Sequence, residues 1–528
     1  MRIRAEWGRP RPSKRNLAAI AQYHHARIHA AGGHGSLDDR TWEDLNLDAV
    51  FAALDRTEST VGQQLLYHRL RSAPIAADRN AFEALAVRMA SDTAVRERAQ
   101  VALAHLQDPG GYDLWWLVQP GVLETRRWHI LFPAITFSTV ATLMLSAMWP
   151  KLLLVVPVVT VVNLLLRIVT GQRVGGVVGS FRQVAPLVSA AATLASIDDE
   201  ASASITGPLC TDVPQLRRLR GYARWVSRDR TAAAAGSLGA TLLEYFNVLF
   251  VLDLTVLYFA AREIRARGGA LLRVIAAVGD VDAAISIASF RTGSPHWTRP
   301  RFLSAGAPMV FTDVRHPLVD APVPNSITLG PPHGVLVTGS NMSGKTTFLR
   351  TLGVTTVLAQ TINTCLATVY ETPVVHVRSC IGRADDLSHG KSYYQVEVEA
   401  VLALVQASRS AEPYVFLFDE LFRGTNAVER IAAGEAVLCE LRANQTHVVV
   451  AATHDGELVD LLRNSYVPYH FTDSLGSRGL VFEYRLQPGP ATTRNAITLL
   501  KLHGAPEGLV NRALERAADL DRARILRL

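Results

Sequence analysis

The sequence predicts two kinds of structure in one chain. A mostly α-helical N-terminal region carries an uncharged two-helix hairpin, and an α/β domain built on a parallel sheet fills the C-terminal two-fifths. Three observations predict this. From Trp42 to about Ala104 the apolar residues fall at helical spacing, as in Leu45, Leu47, Val50, Phe51 and Leu54 and again in Val61, Leu65, Leu66 and Leu70. Two charge-free runs, Ile130 to Trp149 and Leu152 to Leu166, stand on either side of Pro150-Lys151. From about Ala307 short apolar runs (GVLVTG, PYVFLFDE, THVVVAATHD) alternate with helical patterns, as strands buried on both faces do in a parallel sheet.

The bulk properties set the limits. At 528 residues the chain has room for two to four domains. Apolar residues make up 49%, and the mean hydropathy is +0.15, which prompts a search for membrane segments. The net charge of +7 suits an anionic partner, nucleic acid or a lipid surface, or else reflects ordinary solvated faces. Cys210, Cys365, Cys380 and Cys439 are widely spaced with no CxxC, which argues against a disulfide frame or a thiolate metal site. The start, MRIRAEWGRPRPSKR, is basic but lacks the apolar core of a signal peptide.

Taken in order, residues 1–40 read as a basic, flexible arm and 41–127 as a helical core segment, in which the hydroxyls of Thr57, Ser59 and Thr60 stand where a helix start needs a cap. Residues 128–170 read as a transmembrane helical hairpin. The first run is long enough to cross a bilayer, and the second is marginal unless Arg167 snorkels. Arg126, Arg127, Arg167, Arg173 and Arg182 flank the pair while only Lys151 sits in its turn, so both ends belong on the cytoplasmic side. That places the chain at the inner (cytoplasmic) membrane with its C-terminal domain in the cytoplasm. The alternative is an apolar pair buried in a helical bundle of a cytoplasmic protein. Residues 171–300 read as a helical lever segment. Within it Leu242 to Ala260 holds Glu244 and Asp253 on opposite sides of a helix, which favours a buried bundle helix over a third span. Arg217, Arg218, Arg220, Arg224, Arg228 and Arg230 form a cluster suited to phosphates or lipid headgroups, or to a solvated face. The α/β domain occupies 301–505, and 506–528 reads as a final helix.

The chemistry is concentrated in that domain. Gly339-Ser340-Asn341-Met342-Ser343-Gly344-Lys345-Thr346 fits GxxxxGK[ST], between a strand (Gly334 to Thr338) and a helix pattern beginning at Thr347. Glycines let backbone N–H groups turn in around a phosphate at a helix N-terminus, Lys345 would neutralise its β/γ oxygens and Thr346 would ligate Mg²⁺. A second strand, Tyr414 to Phe418, ends in Asp419-Glu420. Asp419 is placed to hold the Mg²⁺ shell and Glu420 to act as general base on the attacking water. A third, Val448 to Ala452, ends in Thr453-His454, where His454 could sense a γ-phosphate. The expected fold is an α/β P-loop NTPase, with ATP and Mg²⁺ as its ligands.

These residues resemble the MutS family. GSNMSGKTTFLR is similar to its phosphate loop, and Arg383 to Asp386 with Ser388 to Tyr394 is similar to its signature segment. Asp419 to Asn426 resembles its Walker B and D-loop region, Ala452-Thr453-His454 its switch histidine, and Arg315-His316-Pro317-Leu318 its approach to the ATPase domain. Leu45 to Pro74 is more weakly similar to its helical core. The resemblance implies an ABC-type ATPase acting as a homodimer, with Ser392 of one subunit completing the other's site and the segment from Pro506 to Arg524 helping to pair subunits. It also implies departures: no room ahead of the core for the family's mismatch-reading domain, and Asn426-Ala427 where Ser-Thr is more usual. Two functions are expected from these signs. One is a membrane-tethered, DNA-associated ATPase of mismatch repair or recombination, and the other is a membrane-bound mechanochemical ATPase acting on a protein or lipid. A transporter subunit fits poorly, since one hairpin is too few spans for a translocation path.

Overall fold

A computed structural model describes the chain except residues 1, 13–14, 31–35, 73–74, 124–126, 198–199, 235–248, 332, 341, 383–392, 477–478, 492–496, 498–499, 501–502 and 526–528, and some side chains within helices and strands, among them those of 166–176 and 228–234. It divides into two units. A helical one comprises Met1–His34, Leu54–Leu70 and Pro74–Gly293, and an α/β one comprises Gly35–Ala53, Arg71–Ala73 and Ser294–Leu528.

The helical unit is organised around a buried acid. Asp282, in the long helix Leu252–Thr292, accepts hydrogen bonds from the backbone N–H of Glu58 (2.9 Å) and Ser59 (2.8 Å) and from the Ser59 hydroxyl (2.5 Å). These donors come from the two residues just ahead of helix Thr60–Arg71. Ser59 Oγ in turn accepts from Gly62 N at 2.9 Å, so of the expected hydroxyls it is the one that caps this helix. A Cβ on Gly62 would come within 2.1 Å of the Asp282 carboxylate, so only glycine lets the two helices approach this closely. Much of the N-terminal stretch expected as a flexible arm is helical instead (Arg2–Glu6 and Leu17–Ala30). The segment between these helices is tied to the rest of the unit: Arg15 pairs with the buried Asp55 at 2.7 Å and Arg11 with the buried Glu58.

The hairpin forms, but the bilayer crossing expected of it is not supported. Its first helix, Leu131–Ser146, has 16 residues, about 24 Å of helix against a hydrocarbon core of about 30 Å. The charge-free run is longer than the helix it makes, because the ends of the run go into a 3-10 turn (Arg127–Ile130) and the bend before Pro150. The chain returns through a 3-10 turn, Pro150–Leu154, and helix Val155–Arg182. Among the described residues the one stretch of spanning length and apolarity is Val177–Leu194, 61% of it buried inside the protein. The hairpin's large apolar side chains are nonetheless out in the open, with Phe137, Met144, Met148 and Leu154 all over 70% exposed. Its polar groups turn inward: Thr136 Oγ1 donates to Phe250 O (2.6 Å) and Asn163 Nδ2 to Leu249 O (2.7 Å). Glu244 of the third apolar stretch lies outside the described residues. From Leu252 that stretch begins the long helix, and Val251 and Leu254 are buried against Phe132.

In the α/β unit the expected strands form and pair in parallel. The six-stranded sheet runs in the order Gly479–Pro488, Tyr466–Gly476, Gly334–Thr338, Val448–Ala452, Tyr414–Asp419, His376–Ile381, with only the first pair antiparallel. Gly334–Thr338 and Val448–Ala452 are buried at every residue, which is why they read as unbroken apolar runs. Val337 and Asp419 both pair with Ala452, so the C-terminal ends of these three strands meet at one edge of the sheet. A second sheet holds Arg301–Phe302, Val369–Thr372, Met309–Val314 and Asn325–Leu329. The segment Gly35–Ala53 belongs to this unit through Asp44. Its carboxylate accepts from Ser379 Oγ (2.8 Å) and Ile381 N (2.9 Å) on the edge strand, and its carbonyl accepts from Arg350 Nε (2.8 Å).

Candidate nucleotide site

The loop after strand Gly334–Thr338 turns on two glycines in the left-handed region, Gly339 (φ +143°) and Gly344 (φ +107°), where a side chain would be strained. Helix Lys345–Ile362 then starts with no side-chain cap, leaving its first N–H groups directed at the loop. Lys345 is buried, and its ammonium donates to the carbonyls of Gly339 (2.9 Å) and Ser340 (3.0 Å). Burial lowers its pKa, and the nearby Glu420 and Asp419 counter that. Among the described residues Ser343 Oγ is buried with no hydrogen-bond partner; Met342 is 83% exposed, and Thr347 follows in the first helical turn. Asn341 and Ser392, both expected at the site, lie outside the described residues, as does the signature segment from Arg383 to Ser392.

The neighbouring strand ends bring the acids to this loop. Asp419 Oδ2 accepts from Thr346 Oγ1 at 2.6 Å, which joins the residues expected to share a cation. Burial raises the Asp419 pKa, with the Thr346 hydroxyl opposing the shift. Glu420 has positive φ (+54°), and its N–H donates to Ala452 O at 3.0 Å, so its side chain is held at the strand ends. Its carboxylate sits between His454 Nδ1 (3.3 Å) and Arg423 Nε (3.1 Å). The His454 contact holds the Glu420 pKa low and raises that of His454 in return. His454 is backed by Asp455, which Arg430 clamps through two bonds of 2.9 and 2.7 Å. Glu397 accepts from Phe422 N (2.6 Å) and fixes the turn beyond Glu420.

A cavity of about 550 Å³ opens on these groups. Met342, Gly344, Lys345, Thr346, Thr347, Asp419 and Glu420 line it, whereas Gly339, Ser340, Ser343 and His454 are not part of the lining. It also exposes an apolar wall of Val319, Pro322 and Val323, together with Tyr484 and His316. His316 Nδ1 accepts from Leu318 N (3.2 Å), which puts the ring proton on Nε2, and that buried nitrogen has no partner among the described residues. Burial, aided by Arg350, pushes the His316 pKa down to about 4, so the ring is a neutral donor. Sequence reasoning gave none of these wall residues a role. His316 stood only within the stretch resembling the family's approach to the ATPase domain, and Tyr484 reaches the site from a distant strand.

The same region is similar in sequence to known proteins. Residues 335–521 match the family model "MutS domain V". The chain is 34% identical over 239 residues to the DNA mismatch repair protein MutS of Thermus thermophilus, covering 44% of this chain and 28% of that protein. It is 31% identical over 269 residues to the DNA mismatch repair protein MutS 2 of Halobacterium salinarum, covering 49% and 30% respectively. The chain thus matches less than a third of the length of these curated relatives, and the family model does not reach the helical unit. With its glycine-turned loop, paired strand-end acids and matching sequence in one place, the C-terminal region is similar to domain V of the MutS family.

Proposed function

We propose that the α/β unit binds ATP with Mg²⁺ and hydrolyses it. The observation that carries this reading is the Thr346–Asp419 contact of 2.6 Å, set beside Lys345 and Glu420 in one cavity. The residues fit these ligands. Lys345 is held by carbonyls and not by an acid, so its positive charge is free to meet phosphate oxygens. Ser343 Oγ and His316 Nε2 are buried polar atoms still lacking partners, one in the phosphate loop and one beside the apolar wall that suits a base. Thr346 and Asp419 would hold Mg²⁺, which when bound neutralises charge on the phosphate oxygens. Glu420, kept ionised by His454 and Arg423, would take the proton of the attacking water, and His454 would orient it. By analogy with the MutS relatives, two copies would pair through these domains and Ser392 of each would complete the other's site.

For the whole chain we propose a DNA-associated role in repair or recombination, supported by the names of its relatives and by the net charge of +7. A second reading, an ATPase acting on a protein or lipid partner, is favoured by the exposed apolar hairpin. In either case the hairpin would lie in one leaflet of the cytoplasmic membrane without crossing it, with the α/β unit in the cytoplasm.

Calorimetry of the full chain with Mg²⁺ and ATP tests the site. Lys345→Ala should lose at least about 100-fold in affinity, the scale of removing a buried charge–phosphate contact. An unchanged affinity would sink the assignment. Salt-dependent retention on branched or mismatched duplex supports the DNA role, and no retention on any duplex discards it.

A further inference from the structure

The helical unit carries a second surface that the nucleotide site does not use. Along helix Arg217–Ala234 the exposed positions Arg217, Arg218, Gly221, Arg224 and Trp225 follow i, i+1, i+4, i+7, i+8 and form one stripe, with Leu219, Ala223 and Val226 buried beneath it. Among the described residues none of these three arginines has an acidic partner. A Cβ on Gly221 would meet nothing within 4 Å, so the middle of the stripe is open. Trp225 is 42% exposed at one end.

The stripe joins the base of the hairpin through a row of rings. Tyr222, at its margin, stacks on Phe259 with centroids 6.4 Å apart, and Phe259 meets Tyr258 edge-on at 5.4 Å. Tyr258 packs on the cluster of Phe132, Val251 and Leu254, and Phe132 stacks on His129 at 5.4 Å. Arg262 is exposed one helical turn beyond Phe259. Along this unit, then, exposed aliphatic side chains give way to aromatic rings and the rings to arginines. A bilayer changes in the same order, from hydrocarbon through the interfacial layer favoured by Trp and Tyr to the phosphates. A duplex would engage the arginines but would leave the adjoining apolar side chains in water.

We propose that Arg217, Arg218 and Arg224, with Trp225 and the ring row, form a collar that binds the headgroups of anionic lipids and orients the hairpin in one leaflet. This rests on the membrane reading above and adds to it the lipid class and the residues that select it. Each arginine near an anionic surface strengthens binding about 5-fold, so three together should give a preference on the order of 100-fold over neutral lipid.

The test is flotation of the full chain with vesicles of phosphatidylcholine alone and of phosphatidylcholine mixed with phosphatidylglycerol. The wild type should prefer the mixed vesicles by that factor, and the preference should shrink with added salt. The triple variant Arg217→Gln, Arg218→Gln, Arg224→Gln should bind both lipids alike while keeping its neutral-vesicle binding and its ATP affinity. Should the triple variant fail to fold, Arg224→Gln alone should lose about 5-fold on the mixed vesicles only. A variant that keeps the full preference overturns the collar, as does a wild type that binds both vesicles equally. Loss of duplex retention with the lipid preference intact would reassign the stripe to nucleic acid and equally overturn it. Binding to neither vesicle removes the membrane reading itself, and the collar with it.

Discussion

Asp282, fully buried in the helical unit, and Asp419, partly buried in the α/β unit, both stand beside a helix start, yet the protein completes one and leaves the other open. Asp282 receives two backbone N–H groups and a hydroxyl, and although these favour its charged form, burial still pushes its carboxyl up to about 7. Asp419 receives the Thr346 hydroxyl, lies against a cavity and faces the glycine-turned loop that precedes helix Lys345–Ile362. A buried charge that the protein solvates by itself holds a fold together. One that it solvates only in part is suited to a ligand that supplies the rest.

The comparison predicts opposite consequences for the same substitution. The larger effect is on stability. Asp282→Ala strands the Glu58 and Ser59 donors in the core and should cost about 3 kcal/mol or more, read as an earlier urea transition of the helical unit. Asp419→Ala removes a charge that burial disfavours, so it should cost about 1 kcal/mol or less while abolishing Mg²⁺-dependent nucleotide hydrolysis. Comparable losses of stability in the two variants would erase the distinction.

A smaller effect sharpens the electrostatics. The Glu420 contact raises the His454 pKa above its ordinary value, so the pair's contribution is complete below about 6.5 and fades as pH rises through the folded value. On the acidic side it is lost as pH falls through the depressed Glu420 value. In an NMR titration His454 should therefore lose its proton above pH 6.5 in the wild type and closer to 6.5 in Glu420→Gln. Identical titrations would mean that the 3.3 Å contact is not made in solution.

What could be read from the sequence was what is contiguous. The glycine-turned loop at 339–344, the strands ending in Asp419-Glu420 and Thr453-His454, and the parallel sheet all come from short local patterns, and each stands where its pattern placed it. What could not be read depends on the tertiary fold. Nothing near His316 in the sequence indicates that the residue will line the cavity, and Glu397 stabilises the Glu420 turn from a helix the motif does not include. Asp44 read as part of a helical core, but its carboxylate reaches a strand more than 300 residues away in sequence. The hairpin shows a different gap: counting uncharged residues gave the length of the apolar run, whereas crossing depends on the length of helix, and turns at each end consume the difference.

The central claim is that the strand-end acids are catalytic. It is tested most directly by Mg²⁺-dependent ATP turnover of the purified full chain, wild type beside Glu420→Gln. The account predicts a wild type that turns over ATP and a variant that binds ATP with unchanged affinity but hydrolyses it about 100-fold or more slowly. Equal turnover by the two proteins would contradict it.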